Sequence, residues 1–147
     1  MRKFLVLLVI VFLGSCGRSE LVFDAKALKG KNVEGIHKIL GQPDSVYVQT
    51  LEKQYEIHFY ENRNMQVRLI NGEIVDIIIQ EPCDIKFSPE SISKFGFDLE
   101  PPTEMDTTSH IMWKDIEGLR YVSIYKRGTL KQIQSCVPYN IYLNYNN

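Results

Sequence analysis

Residues 65–79 read Met65-Gln66-Val67-Arg68-Leu69-Ile70-Asn71-Gly72-Glu73-Ile74-Val75-Asp76-Ile77-Ile78-Ile79. Met65, Val67 and Leu69 alternate with Gln66 and Arg68, the period of a strand with one covered face. Asn71-Gly72 is the strongest short hairpin signal, because both central residues of a type I′ turn need positive φ. Ile74 to Ile79 carries apolar side chains at both parities, which predicts a central strand covered on both sides. Just upstream, Tyr55, Ile57 and Phe59 alternate with Glu56, His58 and Tyr60, and Glu61-Asn62-Arg63-Asn64 reads as a turn. The expectation there is an apolar set facing inward, with His58 on the outward side.

Before these strands, Lys31 to Pro43 reads as a helix with punctuation at both ends. Asn32 suits the N-cap, because its side chain can accept from a free backbone N–H. Val33, Ile36 and Ile39/Leu40 recur at helical spacing and form one apolar face. Gly41 suits a left-handed C-terminal cap, and Pro43 stops continuation. The pattern then restarts at Ser88-Pro89-Glu90, a helix start carrying Ile92 and Phe95 and ending at Gly96. Strands are expected from Ile111, over Tyr121 to Tyr125 and over Leu130 to Val137, with turns at Glu117-Gly118 and Arg127-Gly128. Gly72-Glu73-Ile74 aligns with Gly128-Thr129-Leu130, and Pro82-Cys83-Asp84-Ile85 with Pro138-Tyr139-Asn140-Ile141. The expected fold class is α+β: two tandem helix-plus-three-strand units, residues 23–87 and 88–147. Stacked, they form an antiparallel sheet of about six strands with helices packed on one face. The tail Ile141-Tyr142-Leu143-Asn144-Tyr145 would add an edge strand.

The amino terminus carries an address. Arg2 and Lys3 precede an apolar run, Phe4 to Leu13, about half of the roughly 20 residues that span a bilayer as a helix. A charged start and a short apolar stretch are the layout of a secretory signal, here residues 1–15. Leu13-Gly14-Ser15-Cys16 resembles the bacterial lipobox. That resemblance implies a diacylglycerol thioether and often an amide-linked palmitate on Cys16, with residues 16–22 as a lipidated tether. Each buried CH₂ contributes about 0.8 kcal/mol, so two or three chains hold a protein on a membrane where one alone does not. Gly17, in place of an Asp, resembles an outer-membrane address facing the periplasm. Lys26, Lys29, Lys31 and Lys38, close to the anchor, could rest on anionic headgroups or simply flank a solvated helix.

The chain has 147 residues and a formal charge of −1, with no basic stripe of the kind a nucleic-acid backbone requires. Cys83 and Cys136 remain as an even pair in an oxidising compartment. They would either bridge, closing a loop of about 50 residues worth roughly 4 kcal/mol, or stay as two buried thiols. His37, His58 and His110 stand far apart without metal-ligand spacing, and are expected on the solvated surface with no metal. No G-x-S-x-G elbow and no glycine-rich phosphate loop is present, and no His lies beside Cys83. These features predict a non-enzymatic protein without a cofactor. The loop from Asp98 to Asp106, with Glu100 and Glu104, is either hydrated or a docking surface for a basic partner. Trp113, Tyr121 and Tyr125 form a candidate binding patch, with core packing as the other reading of Trp113.

Leu28-Lys29-Gly30-Lys31-Asn32, then Ile39-Leu40-Gly41-Gln42-Pro43-Asp44, then Tyr55 to Phe59 and a hairpin, resembles the small outer-membrane lipoproteins of the BamE/SmpA type. It is similar also to the tandem β-lactamase-inhibitor-like fold. The first resemblance implies a binding or scaffolding module in outer-membrane maintenance or assembly, holding an envelope protein. The second implies an inhibitor or immunity protein that blocks an envelope-acting enzyme or toxin.

Overall fold

The computed structural model describes residues 21–50, 52–82, 84–126 and 139–145. The expected signal segment, Cys16, Cys83, Cys136 and the strand expected over Leu130 to Val137 lie outside the described residues.

Among the described residues the fold is one eight-stranded antiparallel sheet, and this corrects the expected pair of helix-plus-three-strand units. The strands are β1 (Ser45–Thr50), β2 (Gln54–Tyr60), β3 (Met65–Ile70), β4 (Glu73–Gln80), β5 (Glu104–Asp106), β6 (His110–Ile116), β7 (Leu119–Lys126) and β8 (Tyr139–Tyr145). Their order is β1-β2-β3-β4-β8-β7-β6-β5. Among the described residues the one α-helix, α1 (Val33–Leu40), has eight residues. Asn32 caps it as expected, its side chain accepting from Gly35 N at 2.9 Å.

The second expected helix is instead a 3-10 stretch, Pro89–Phe95. Its serines explain the difference. Ser88 makes no side-chain cap bond. Ser91 Oγ donates to Lys86 O and Ser93 Oγ to Glu90 O. Hydroxyls that bond nearby carbonyls compete with the α-helical ladder.

Two strands had no counterpart in the sequence reading: β1, and the short acidic β5. A third, β8, is not an edge strand. It sits at the sheet centre between β4 and β7, pairing Ile77↔Leu143 with the first and Val122↔Leu143 with the second. The Asn71-Gly72 turn is as expected, with φ of 52° and 79°. So is Glu117-Gly118, with φ of 42° and 94°.

Strand β2 has the opposite parity from the expected one. It pairs with β3 through Glu56↔Leu69, His58↔Val67 and Tyr60↔Met65. Directly paired residues share a face, so a β3 that buries Met65, Val67 and Leu69 carries Glu56, His58 and Tyr60 inward with them. Glu56 and His58 are both buried, and Tyr55, Ile57 and Phe59 take the other face.

Among the described residues one core cluster runs from β2 to β6 and leaves out the two edge strands, β1 and β5. Ile36 and Leu40 from α1, Leu28, and Ile92 and Phe95 from the 3-10 stretch pack on Val67, Ile77, Val122 and Leu143. Each fully buried aliphatic side chain contributes roughly 1.5–3 kcal/mol. The segment before α1 is stitched in by backbone bonds, Val22 N to Lys94 O at 2.8 Å and Ala25 N to Phe95 O at 3.0 Å. Tyr145 closes the core by donating its hydroxyl to Ala25 O at 3.0 Å, and burial pushes that phenol above its ordinary range. All of these helical segments lie on the face of Met65 and Val67. On the opposite parity of β4 Asp76 is buried but Ile78 and Gln80 are only half-buried, so the double cover expected for this strand is incomplete among the described residues.

Candidate functional site

The face that the helical segments leave open carries several aromatic residues. Antiparallel register assigns Tyr55, Ile57 and Phe59 of β2, Tyr121 and Tyr125 of β7, and Tyr142 of β8 to it. Near its middle lies an ion pair. Arg68 and Asp76 face each other across β3 and β4, with Nε donating to Oδ1 and Nη2 to Oδ2 of the carboxylate. That hydrogen bond with Asp76 raises the Arg68 pKa well above its ordinary value.

Beyond this pair the sheet sinks into a depression of about 470 Å³ lined by Met112, Tyr121, Ser123, Tyr125 and Tyr142. The strand pairings Met112↔Ser123 and Ser123↔Tyr142 place these side chains in adjacent rows. Tyr125 stands edge-on to Tyr142 with ring centroids 6.1 Å apart, and stacks on His110 at 5.5 Å. Ser123 is fully buried, yet its hydroxyl has no hydrogen-bond partner. An unsatisfied buried hydroxyl costs free energy that a bound group could recover.

The rim is acidic on the side of β5. Glu104 is opposite Met112, and Asp106 opposite His110. Glu104 pairs with Lys114, whose hydrogen bond holds its carboxyl below the usual range. Asp106 accepts from Thr108 N at 2.8 Å and from Ser109 Oγ at 2.8 Å. The bonds from Thr108 and Ser109 lower its pKa to about 2.

The sequence-derived site residues divide accordingly. Tyr121 and Tyr125 meet in the depression, with Glu104 and Asp106 beside it. Trp113 does not join them. It points to the opposite face and is 2% exposed, its indole N–H donating to Glu100 O at 3.0 Å. Glu100 thus serves the core through its carbonyl, while its side chain is exposed. Two of the four lysines expected near a membrane are committed elsewhere: Lys26 pairs with Glu117 at 2.7 Å and Lys38 with Glu34 at 2.8 Å.

No family model matches the chain, and no curated protein or solved structure matches it either.

The histidines overturn their expected place. His58 is 1% exposed, its Nε2 lies 2.8 Å from Glu56 Oε2, and its Nδ1 lies 3.3 Å from Nε2 of half-buried His37. Burial, with His58 alongside, lowers the His37 pKa. The signal in the sequence is the polar set at alternate positions of β2, which pairing with β3 turns inward. Among the described residues no three His, Cys, Asp or Glu side chains converge as a metal site, and no helix is long and apolar enough to cross a membrane.

Proposed function

We propose that the chain is a lipid-tethered, non-enzymatic module of the bacterial envelope that holds a partner protein against the open face of its sheet. The reading is carried by the tyrosine-lined depression around Ser123, on a face that no described helical segment covers. Aromatic and methionine side chains concentrate at protein interfaces because they bury large areas at low entropic cost. The acidic rim at Glu104 and Asp106 favours a partner segment that brings a cation. An arginine guanidinium laid over Tyr121, Tyr125 or Tyr142 would be attracted by the ring quadrupole and by that rim.

The tether rests on the lipobox resemblance of Leu13-Gly14-Ser15-Cys16, and an outer-membrane, periplasm-facing location on Gly17. The likeness of residues 39–44 to BamE-type lipoproteins favours scaffolding over catalysis.

Chemical cross-linking of native membranes, followed by purification of the tagged chain, tests the reading. The wild type should recover one reproducible partner. A Tyr125→Ala/Tyr142→Ala variant should lose it while keeping its circular dichroism spectrum and its palmitate label. Equal recovery from both forms would reject the open face as the docking surface. A palmitate label that survives Cys16→Ala would reject the anchor.

A further inference from the structure

The sheet ends on two unlike edges. Natural sheets protect an edge strand by shortness, charge, proline or a bulge, because its outward N–H and C=O groups are a template for another strand. Strand β5 follows that rule: it has three residues, and two of them are Glu104 and Asp106. Strand β1 does not. Ser45-Val46-Tyr47-Val48-Gln49-Thr50 holds no charge and no proline, and its six pairs with β2 run without a register shift. It stands first in the sheet order, so no strand pairs with its outer side among the described residues. All six residues are exposed, with Val46 at 46%, Tyr47 at 52% and Val48 at 52%.

An edge strand accepts another strand, and the side chains of β1 suit a copy of itself. An uncharged strand brings no like-charge repulsion to self-pairing. Antiparallel pairing sets the acidic end at Asp44 against the Glu52-Lys53 turn of the second copy, whereas parallel pairing would set Asp44 on Asp44. A two-fold axis normal to the sheet makes the antiparallel arrangement isologous and keeps each face on its own side. Pairing with Ile57 puts Tyr47 on the open face, and pairing with His58 and Glu56 puts Val46 and Val48 on the other. Centred on Tyr47, self-pairing lays tyrosine beside tyrosine on one face and Val46 beside Val48 of the second copy on the other. Aromatic and β-branched cross-strand pairs of this kind stabilise sheets.

We propose that two copies of this chain associate through their β1 edges, antiparallel, joining two eight-stranded sheets into one. A stable interface takes about 20–30 residues a side, and this edge offers six, so the association is reversible and rises with concentration. The tyrosine-lined depression lies at the other end of the sheet order, on β6, β7 and β8. It stays free in both copies, and the association does not rest on what it binds.

Sedimentation equilibrium of the full chain in density-matched detergent, with amide hydrogen exchange, tests the edge. The mass should rise with concentration toward that of two chains. The alternate β1 amides that do not bond to β2 should gain protection as it rises. Val48→Lys should weaken association by at least about 10-fold, with circular dichroism and Trp113 fluorescence unchanged. Val48→Thr, uncharged and β-branched, should hold it within about threefold, and Met105→Lys on the opposite edge should leave it unchanged. A mass of one chain up to about 1 mM protein would overturn the proposal and leave the edge to a strand of another protein. So would a dimer that Val48→Lys does not weaken, or one that forms without new protection in β1.

Discussion

His58 and Glu56 lie two residues apart on one strand, both face the core, and Nε2 of the first meets Oε2 of the second at 2.8 Å. Removing Glu56 alone leaves Nε2 of buried His58 without its partner, whereas removing both leaves only exposed Gln54 and half-buried His37 to exchange a bond for water. Glu56→Leu alone should therefore destabilise the fold by about 1–3 kcal/mol, and the Glu56→Leu/His58→Leu double variant by less than about 1 kcal/mol. Urea denaturation of the four forms of this cycle checks the sign of the coupling.

Trp113 is the single tryptophan of the chain and is 2% exposed. Its fluorescence should be blue-shifted in the native state, resist acrylamide quenching and move to the red on unfolding. Trp113→Phe retains most of the ring volume but strands the Glu100 carbonyl. The expected loss is about 1–2 kcal/mol, read as a lower urea midpoint at unchanged slope.

Gly96 sits at φ 84°, and a Cβ there would lie 2.9 Å from Asp24 Oδ1. That oxygen accepts from Lys26 N at 3.0 Å and Ala27 N at 3.2 Å. Gly96→Ala pays for the left-handed backbone and also displaces this cap. Together these should cost about 1–3 kcal/mol, visible in thermal unfolding.

Asp106 supplies a pH dependence with a definite sign. Its folded pKa is depressed to about 2 by Thr108 and Ser109, below an unfolded value of about 3.9. The stabilisation it gives the β5–β6 turn is thus complete above the unfolded value and is lost as pH falls through the folded one. The Thr108 amide resonance should titrate with an apparent pKa near 2, and Asp106→Asn should abolish that titration.

What the sequence made legible was local. Asn71-Gly72 and Glu117-Gly118 declare their turns because few residues accept positive φ twice in succession. Asn32 and Gly41 bracket α1 by the same kind of short-range chemistry. What it concealed was relational. Val46, Tyr47 and Val48 of β1 give no inward-outward contrast, since all three are exposed on an edge strand. The parity of β2 is set by pairing with β3, not by its own alternation of apolar and polar residues. The central place of β8 depends on meeting β4 across 58 intervening residues. Tyr121 and Tyr125 were readable as one face of a strand. Tyr142 and the buried Ser123 join them only through the β7–β8 register, as His37 joins His58 only through the docking of α1.

The open face is tested most directly by a photo-cross-linking side chain placed at single positions of the full chain in living cells. With p-benzoylphenylalanine at Tyr125, on the open face, a single adduct band of a partner protein should form, and with it at Tyr55 on the same face the same partner should be captured. At Lys38, on α1 on the other side of the sheet, it should not form. Adducts that arise from Lys38 and not from either tyrosine position would contradict the account.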